Sequence, residues 1–304
     1  MIWKTCGKSF YPNFLMTEWP IALSTGCFYR RSIFDVLDAV RAAGFRQIEV
    51  CSSPRHLDFH NDADVRRAGE KMRELELSPA SLHAPFAEHI DITSLDAAVR
   101  EAAVQELIRA CEAAARMGCE NVVLHPGPER EGRPSEEEFL QRMHHAAEAL
   151  NRVADRCSAL GVQLLLENML AHLMFGHVRD MMYLLGEIKT NDVGTCLDTG
   201  HAHLAREMGV VIQKLSGHLK MVHVNDNYGD WDAHLPPGAG SIDWLWVIGE
   251  LRRVHFQGVL VLELSSGEQE SVAAFLRRAV QAREYMEWLC RKGGPAPVAH
   301  NLKI

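Results

Sequence analysis

Residues 163–168 read Gln-Leu-Leu-Leu-Glu-Asn, and residues 193–201 read Val-Gly-Thr-Cys-Leu-Asp-Thr-Gly-His. Each is a short apolar run closed by a carboxylate, Glu167 or Asp198, and a stretch of helical period, Val178–Glu187, lies between them. A strand with no polar alternation is buried on both faces, and a helix that separates two such strands makes a βα unit of a parallel sheet.

Outward from this unit the pattern repeats eight times. Strands are expected at Ile21–Phe28, Gln47–Ser52, Ser78–Ala84, Asn121–His125, Gln163–Asn168, Val193–Thr199, Lys220–Asn225 and Val259–Leu264. Helices are expected at Ser32–Ala43, Ala63–Leu75, Leu95–Met117, Ser135–Leu160, Val178–Glu187, Val210–Ser216, Ile242–Val254 and Ser271–Leu289. Gly44, Gly118 and Gly161 follow helices, where a left-handed residue closes the last turn. No glycine-rich phosphate loop follows an early strand, which argues against an open doubly wound sheet. Eight repeats in 304 residues predict an α/β chain folded as a single (β/α)8 TIM barrel, which takes about 250 residues. The expected division is an N-terminal extension (1–20), a TIM-barrel catalytic domain (21–290) and a C-terminal tail (291–304).

Hydrophobic residues make up 47% of the chain and charged residues 24%, enough for a large core without disulfides. The 32 Lys and Arg against 40 Asp and Glu leave a net charge of −8, which disfavours nucleic acid and anionic membranes as partners. The eight cysteines show no CxxC spacing and read as reduced, mostly buried small hydrophobes. Residues 1–20 hold no sustained apolar stretch, so no signal peptide or membrane span is expected and the cytoplasm is the expected location.

Six strand ends carry a potential ligand: His83, His125, Glu167, Asp198, His223 and Glu263. A closed barrel gathers those ends on one face, where barrel enzymes place their active sites. One histidine or glutamate proves little, but six converging on one volume do not arise from surface decoration. Carboxylates placed after runs such as Leu164–Leu166 and Val259–Leu262 are costly to bury unless a cation or a hydrogen-bond network compensates them.

The motifs His83-Ala-Pro, Leu124-His-Pro-Gly, Leu166-Glu-Asn, Leu197-Asp-Thr-Gly-His, His223-Val-Asn-Asp, Asp232-Ala-His-Leu-Pro-Pro-Gly-Ala-Gly-Ser-Ile-Asp-Trp and Leu262-Glu-Leu resemble the xylose-isomerase-like barrels. The resemblance runs from Ile21 to Leu289. That superfamily contains sugar and sugar-phosphate isomerases and epimerases, and also the endonuclease IV group of abasic-site nucleases. In its ketose epimerases one Mn²⁺, Mg²⁺ or Co²⁺ is held by residues that fall here on Glu167, Asp198, His223 and Glu263. Glu167 and Glu263 are then also the acid and base of an ene-diolate mechanism, and His83, His125, His201 and His234 are placed to bind substrate. The nuclease pattern of three zinc ions adds His83, His125, His201, Asp232 and His234 to the ligands, and all nine positions carry a competent side chain. Gly238-Ala239-Gly240 stands where Gly-Glu-Gly is common in both branches, a departure that touches loop contacts and no ligand.

The resemblance implies a metal-dependent isomerase or epimerase acting on a small sugar or sugar phosphate. One divalent ion (Mn, Mg, Co or Zn) is expected, with up to three as the limit. The alternatives are an endonuclease IV-like multi-zinc phosphodiesterase and a non-catalytic metal-stabilised binding protein; a homo-oligomer is left open. Glu49 reads equally well as a substrate contact or a satisfied core group. Scattered arginine pairs read as solvated charge, Trp244 as packing, Trp231 as a pocket or oligomer contact, and His144 and His145 as surface.

Overall fold

The structure is a computed structural model that describes residues 19–129, 134–190 and 192–291. Strands β1 (Ile21–Ser24), β2 (Gln47–Cys51), β3 (Ser78–His83), β4 (Asn121–Leu124), β5 (Gln163–Glu167), β6 (Val193–Asp198), β7 (Leu219–Val224) and β8 (Val259–Leu262) pair in parallel. β8 returns to β1 through Ile21 opposite Leu260, Ala22 opposite Val261 and Leu23 opposite Leu262, which closes the barrel. The helices are α1 (Leu37–Ala42), α2 (Asp62–Glu74), α3 (Ala97–Met117), α4 (Glu136–Leu160), α5 (Val178–Glu187), α6 (Thr199–Leu204), α7 (Met208–Leu215), α8 (Trp244–Arg253) and α9 (Val272–Cys290). The single (β/α)8 TIM barrel expected from the repeats is therefore the observed fold.

Alternation along each strand sorts the apolar residues into two cores. Ala22, Ala80, Val123, Leu165, Cys196, Met221 and Val261 fill the barrel interior, while Leu23, Ile48, Leu164, Leu166 and Leu262 face the helices. Two residues beyond the inward layer, the chain places His125, Glu167, Asp198, His223 and Glu263. The period of two thus aims these side chains into the barrel mouth. In β3 the register slips by one residue, from Ile48 opposite Pro79 to Glu49 opposite Ser81. That bulge turns Ser81 toward the interior, where it meets Glu49, and His83 follows two residues on.

Several boundaries differ from expectation because polar side chains stop the strands. β1 ends at Ser24, whose hydroxyl accepts from Gly26 N, and Thr25–Phe28 form a 3-10 turn instead of extended chain. β6 ends at Asp198, which caps the unexpected helix α6. The helix expected at Ser32–Ala43 divides into a 3-10 turn, Ile33–Asp35, and α1, and α7 begins at Met208 rather than Val210.

The proposed N-terminal extension and C-terminal tail lie outside the described residues except for Trp19, Pro20 and Arg291. Trp19 donates its indole N–H to Phe256 O at 2.9 Å and packs on the Phe256 ring. Among the described residues no helix is long and apolar enough to cross a membrane. The seven described cysteines are free thiols; Cys51 is half-buried, with burial pushing its pKa up to about 11, and the other six are buried.

Gly258 leads into β8, and a Cβ there would overlap the Lys220 carbonyl oxygen of the neighbouring strand. Gly258→Ala is expected to cost about 3 kcal/mol as the barrel seam is forced apart. Urea unfolding checks this, and a wild-type midpoint would contradict the close approach.

Candidate metal centre and active site

Glu167 ends β5, Asp198 ends β6, His223 lies in β7, and Glu263 follows β8 with its N–H still donating to Val224 O. One ligand atom from each of the four lies within 4.8 Å of every other. His223 Nδ1 is 3.3 Å from Glu167 Oε1 and 3.2 Å from Glu263 Oε2. Asp198 Oδ1 accepts from His201 N at 2.7 Å and Oδ2 from Asn225 Nδ2 at 2.6 Å. Burial pushes the Asp198 carboxyl up to about 6 against the pull of His201, and Glu263, Glu167 and Asp232 add to the rise.

Three further groups of donors adjoin these four: His83, His125 and Glu167; His83, His223 and Glu263; and His201, Asp232 and His234. All nine positions singled out in the sequence therefore share one face. Glu167 joins two of the groups, with Oε1 toward His223 and Oε2 toward His83 at 3.2 Å and His125 at 3.4 Å.

The outer nitrogen of each histidine decides which one faces inward. A carbonyl oxygen only accepts, so the ring nitrogen against it carries the proton. His83 Nδ1 donates to Ala84 O at 2.9 Å, His201 Nδ1 to Asn168 O at 2.8 Å, and His234 Nδ1 to Glu263 O at 3.0 Å. Their Nε2 atoms turn toward carboxylates, with His201 Nε2 3.3 Å and His234 Nε2 2.9 Å from Asp232 Oδ2. His125 places Nδ1 3.0 Å from Glu129 Oε1. His223 is reversed: its Nε2 meets Glu49 Oε2 at 3.1 Å and its Nδ1 faces in.

The residues fit a divalent cation. His223 Nδ1, Glu263 Oε2 and Asp232 Oδ1 are buried without a hydrogen-bond partner. Such atoms are costly to bury bare, and a nitrogen and an oxygen converging at 3.2 Å with no hydrogen bond between them are the arrangement of two ligands. Without an ion, protons supply the compensating charge. Burial opposes ionisation of Glu167, but His223 and His125 outweigh it and hold the carboxyl well below the usual range. Burial likewise opposes charge on His201, yet Asp198 and Asp232 push it up to about 10. Three carboxylates and one imidazole suit Mn²⁺, Mg²⁺, Co²⁺ or Zn²⁺.

A cleft of about 450 Å³ opens beside the centre, lined by His83, Glu263, Cys51 and Pro54 and flanked by the half-exposed rings of Tyr29 and Phe86. Phe86 stacks on His125, the two ring centroids 4.8 Å apart. Trp231 is largely solvent-exposed, whereas Trp244 is buried and donates its indole N–H to Asp226 Oδ2. His144 is exposed and His145 half-buried on α4.

Sequence reasoning passed over the residues that hold the ligands. Asn168 clamps β5 to β6, its Oδ1 accepting from Asp198 N at 2.8 Å and its Nδ2 donating to Asp198 O at 3.1 Å. Asp226 gathers the N–H groups of Gly238 and Ile242 and the Trp244 indole, which pins the loop that carries Gly238-Ala239-Gly240. Both stand beside ligands in the motifs quoted above, and that adjacency was the available signal. Glu49 is a satisfied core group, fully buried among Ser24, Ser81 and His223.

With these features the chain belongs to the xylose isomerase-like TIM barrel family, whose model matches residues 37–292. Among its relatives, the probable endonuclease 4 of Mycobacterium ulcerans is 28% identical over 214 residues, which span 67% of this chain and 80% of that protein. The ketose 3-epimerase of Arthrobacter globiformis is 27% identical over 244 residues, 79% of this chain and 80% of that protein. The crystal structure of a D-tagatose 3-epimerase-like protein covers 90% of this chain and 97% of its own, with a TM-score of 0.77 at 21% identity, a likeness of fold.

Proposed function

We propose that this protein is a divalent-metal-dependent isomerase or epimerase of a sugar or sugar phosphate. The observation that carries this reading is the pair Glu167 and Glu263, both facing His223 Nδ1, with Glu263 also lining the open cleft. Glu167, Asp198, His223 and Glu263 would hold the ion, which when bound would polarise a substrate carbonyl and so acidify the adjacent C–H. Glu263 and Glu167 carry the proton off carbon and back, through an ene-diolate. His83, His125, His201 and His234 present Nε2 atoms to substrate hydroxyls. The likeness to the ketose 3-epimerase supports the same reading.

Incubating the metal-loaded protein with ketoses and ketose phosphates in D2O tests it. Deuterium entering the carbon-bound position of substrate or product is expected; no exchange with any of them would remove the reading. One tightly held ion is expected to survive dialysis against a mild chelator, as measured by elemental analysis.

A second reading, a multi-ion phosphodiesterase, is favoured by the inward Nε2 atoms of His83, His201 and His234 and by the two-sided Glu167. The relation to endonuclease 4 points the same way. The net charge of −8 opposes it, since phosphate backbones are bound through cations. No nicking of abasic duplex DNA is expected at low salt with added zinc. Efficient nicking, together with three zinc ions retained per chain, would replace the first reading with the second.

A further inference from the structure

We infer that Glu49 is a positioning residue that makes His223 a ligand through Nδ1 and sets its strength as a donor. The inference rests on the metal-centre reading above and goes beyond it to a residue outside the ligand set. Of the five inward-facing histidines, His223 alone has a fully buried carboxylate against its outer ring nitrogen. His83, His201 and His234 donate to backbone carbonyls, and His125 lies against Glu129, which is on the exposed side of its loop.

Among the described residues Glu49 has three hydrogen-bond partners, two serines and His223. Ser24 Oγ donates to Oε1 at 3.0 Å and Ser81 Oγ to Oε2 at 2.7 Å, and the third partner is His223 Nε2 at 3.1 Å. A carboxylate accepts only, so the two serine hydroxyls fix its orientation and the proton of His223 sits on Nε2. Nδ1 is then the ring nitrogen aimed at Glu167 and Glu263, the one that would give up its proton to bind the ion. A carboxylate buried behind the ring is costly in itself, and an ion held at Nδ1 would offset it. The ring would then stand between the carboxylate and the ion, and the charge-assisted hydrogen bond would raise its strength as a donor, as outer carboxylates do for histidine ligands in general.

β2 supplies this group because Glu49 lies opposite Ser81 at the β3 bulge and beside Ser24 of β1. The arrangement spans three strands and reaches across the barrel to β7. Glu49 does not line the cleft, so it acts on the ion through His223 and not on substrate.

The test measures Zn²⁺ and Co²⁺ affinity by chelator competition in the wild type, Glu49→Gln and Glu49→Ala. Glu49→Gln keeps the shape of the side chain and removes its charge, so it carries the test if Glu49→Ala fails to fold. Affinity is expected to fall by about 10- to 100-fold. In the zinc-loaded protein the proton resonance of His223 Nε2–H is expected far downfield in the wild type and displaced upfield in Glu49→Gln, a change that a packing role alone would not produce. Wild-type affinity in a folded Glu49→Gln, or an unmoved resonance, overturns the inference and leaves the metal centre standing. A wild-type protein that binds neither ion overturns the metal centre and the inference together.

Discussion

Glu263→Gln is expected to keep its divalent ion and to lose about 10²- to 10⁴-fold in kcat, the span that a positioned acid or base supplies. Glu263 combines two properties that occur together in none of the other three ligands. Its Oε2 is buried without a hydrogen bond, and its side chain reaches the open cleft beside His83. Glutamine retains an oxygen for the ion and cannot accept a proton, so binding and chemistry separate in this variant. Burial raises the Glu263 carboxyl while His223 and His234 lower it, and the balance brings it to about 2 in the ion-free protein. It is therefore a carboxylate at neutral pH. Steady-state kinetics with elemental analysis of the same sample decides the matter. Unchanged kcat with the ion in place would remove Glu263 from the proton path and move the base to another residue.

Asp198→Ala is expected to lose the tightly held ion and with it all turnover. Asp198 is fully buried and does three things at once: it faces the ion position, caps α6 through His201 N, and receives the Asn225 amide. Removing the cap costs about 1 kcal/mol, and leaving Asn225 Nδ2 bare in the interior costs roughly 1–3 kcal/mol more. The loss of fold stability is therefore moderate while the loss of metal is complete. Asp198→Asn separates the two effects, because an amide keeps an oxygen for His201 N but presents a second N–H against Asn225 Nδ2 or against the ion. It is expected to fold and to bind the ion weakly. Full metal content in Asp198→Ala after dialysis would show that the four residues are not the ligand set.

These expectations could be framed from residue types alone for the ligands but not for their supports. Glu167 and Asp198 stand out because each closes an apolar run, and a carboxylate in that position is costly unless something answers it. His201 and His234 were reached only through the family resemblance, since both lie outside the strands and helices expected from the periodic signal. Glu49 sits in the middle of its short strand, Gln47–Cys51, and nothing in the sequence distinguishes a residue that faces the ion from one that faces a ligand.

The order of apolar and polar residues already carries the eightfold alternation of strand and helix, and hence the closed barrel and the face on which the strand ends gather. It also determined that His125, Glu167, Asp198, His223 and Glu263 converge there, because all five follow an inward residue by the two-residue period of a strand. Which ring nitrogen each histidine presents follows from the folded arrangement alone, since it depends on the acceptor behind the ring. For His201 the acceptor is a carbonyl 33 positions away, and for His223 it is a carboxylate 174 positions away. The β3 bulge that brings Ser81 beneath Glu49 was equally hidden, because a one-residue slip in register leaves the apolar run that announces the strand unchanged. Local period sets where a side chain points; the partners it meets are set by strand closure, and those contacts are non-local.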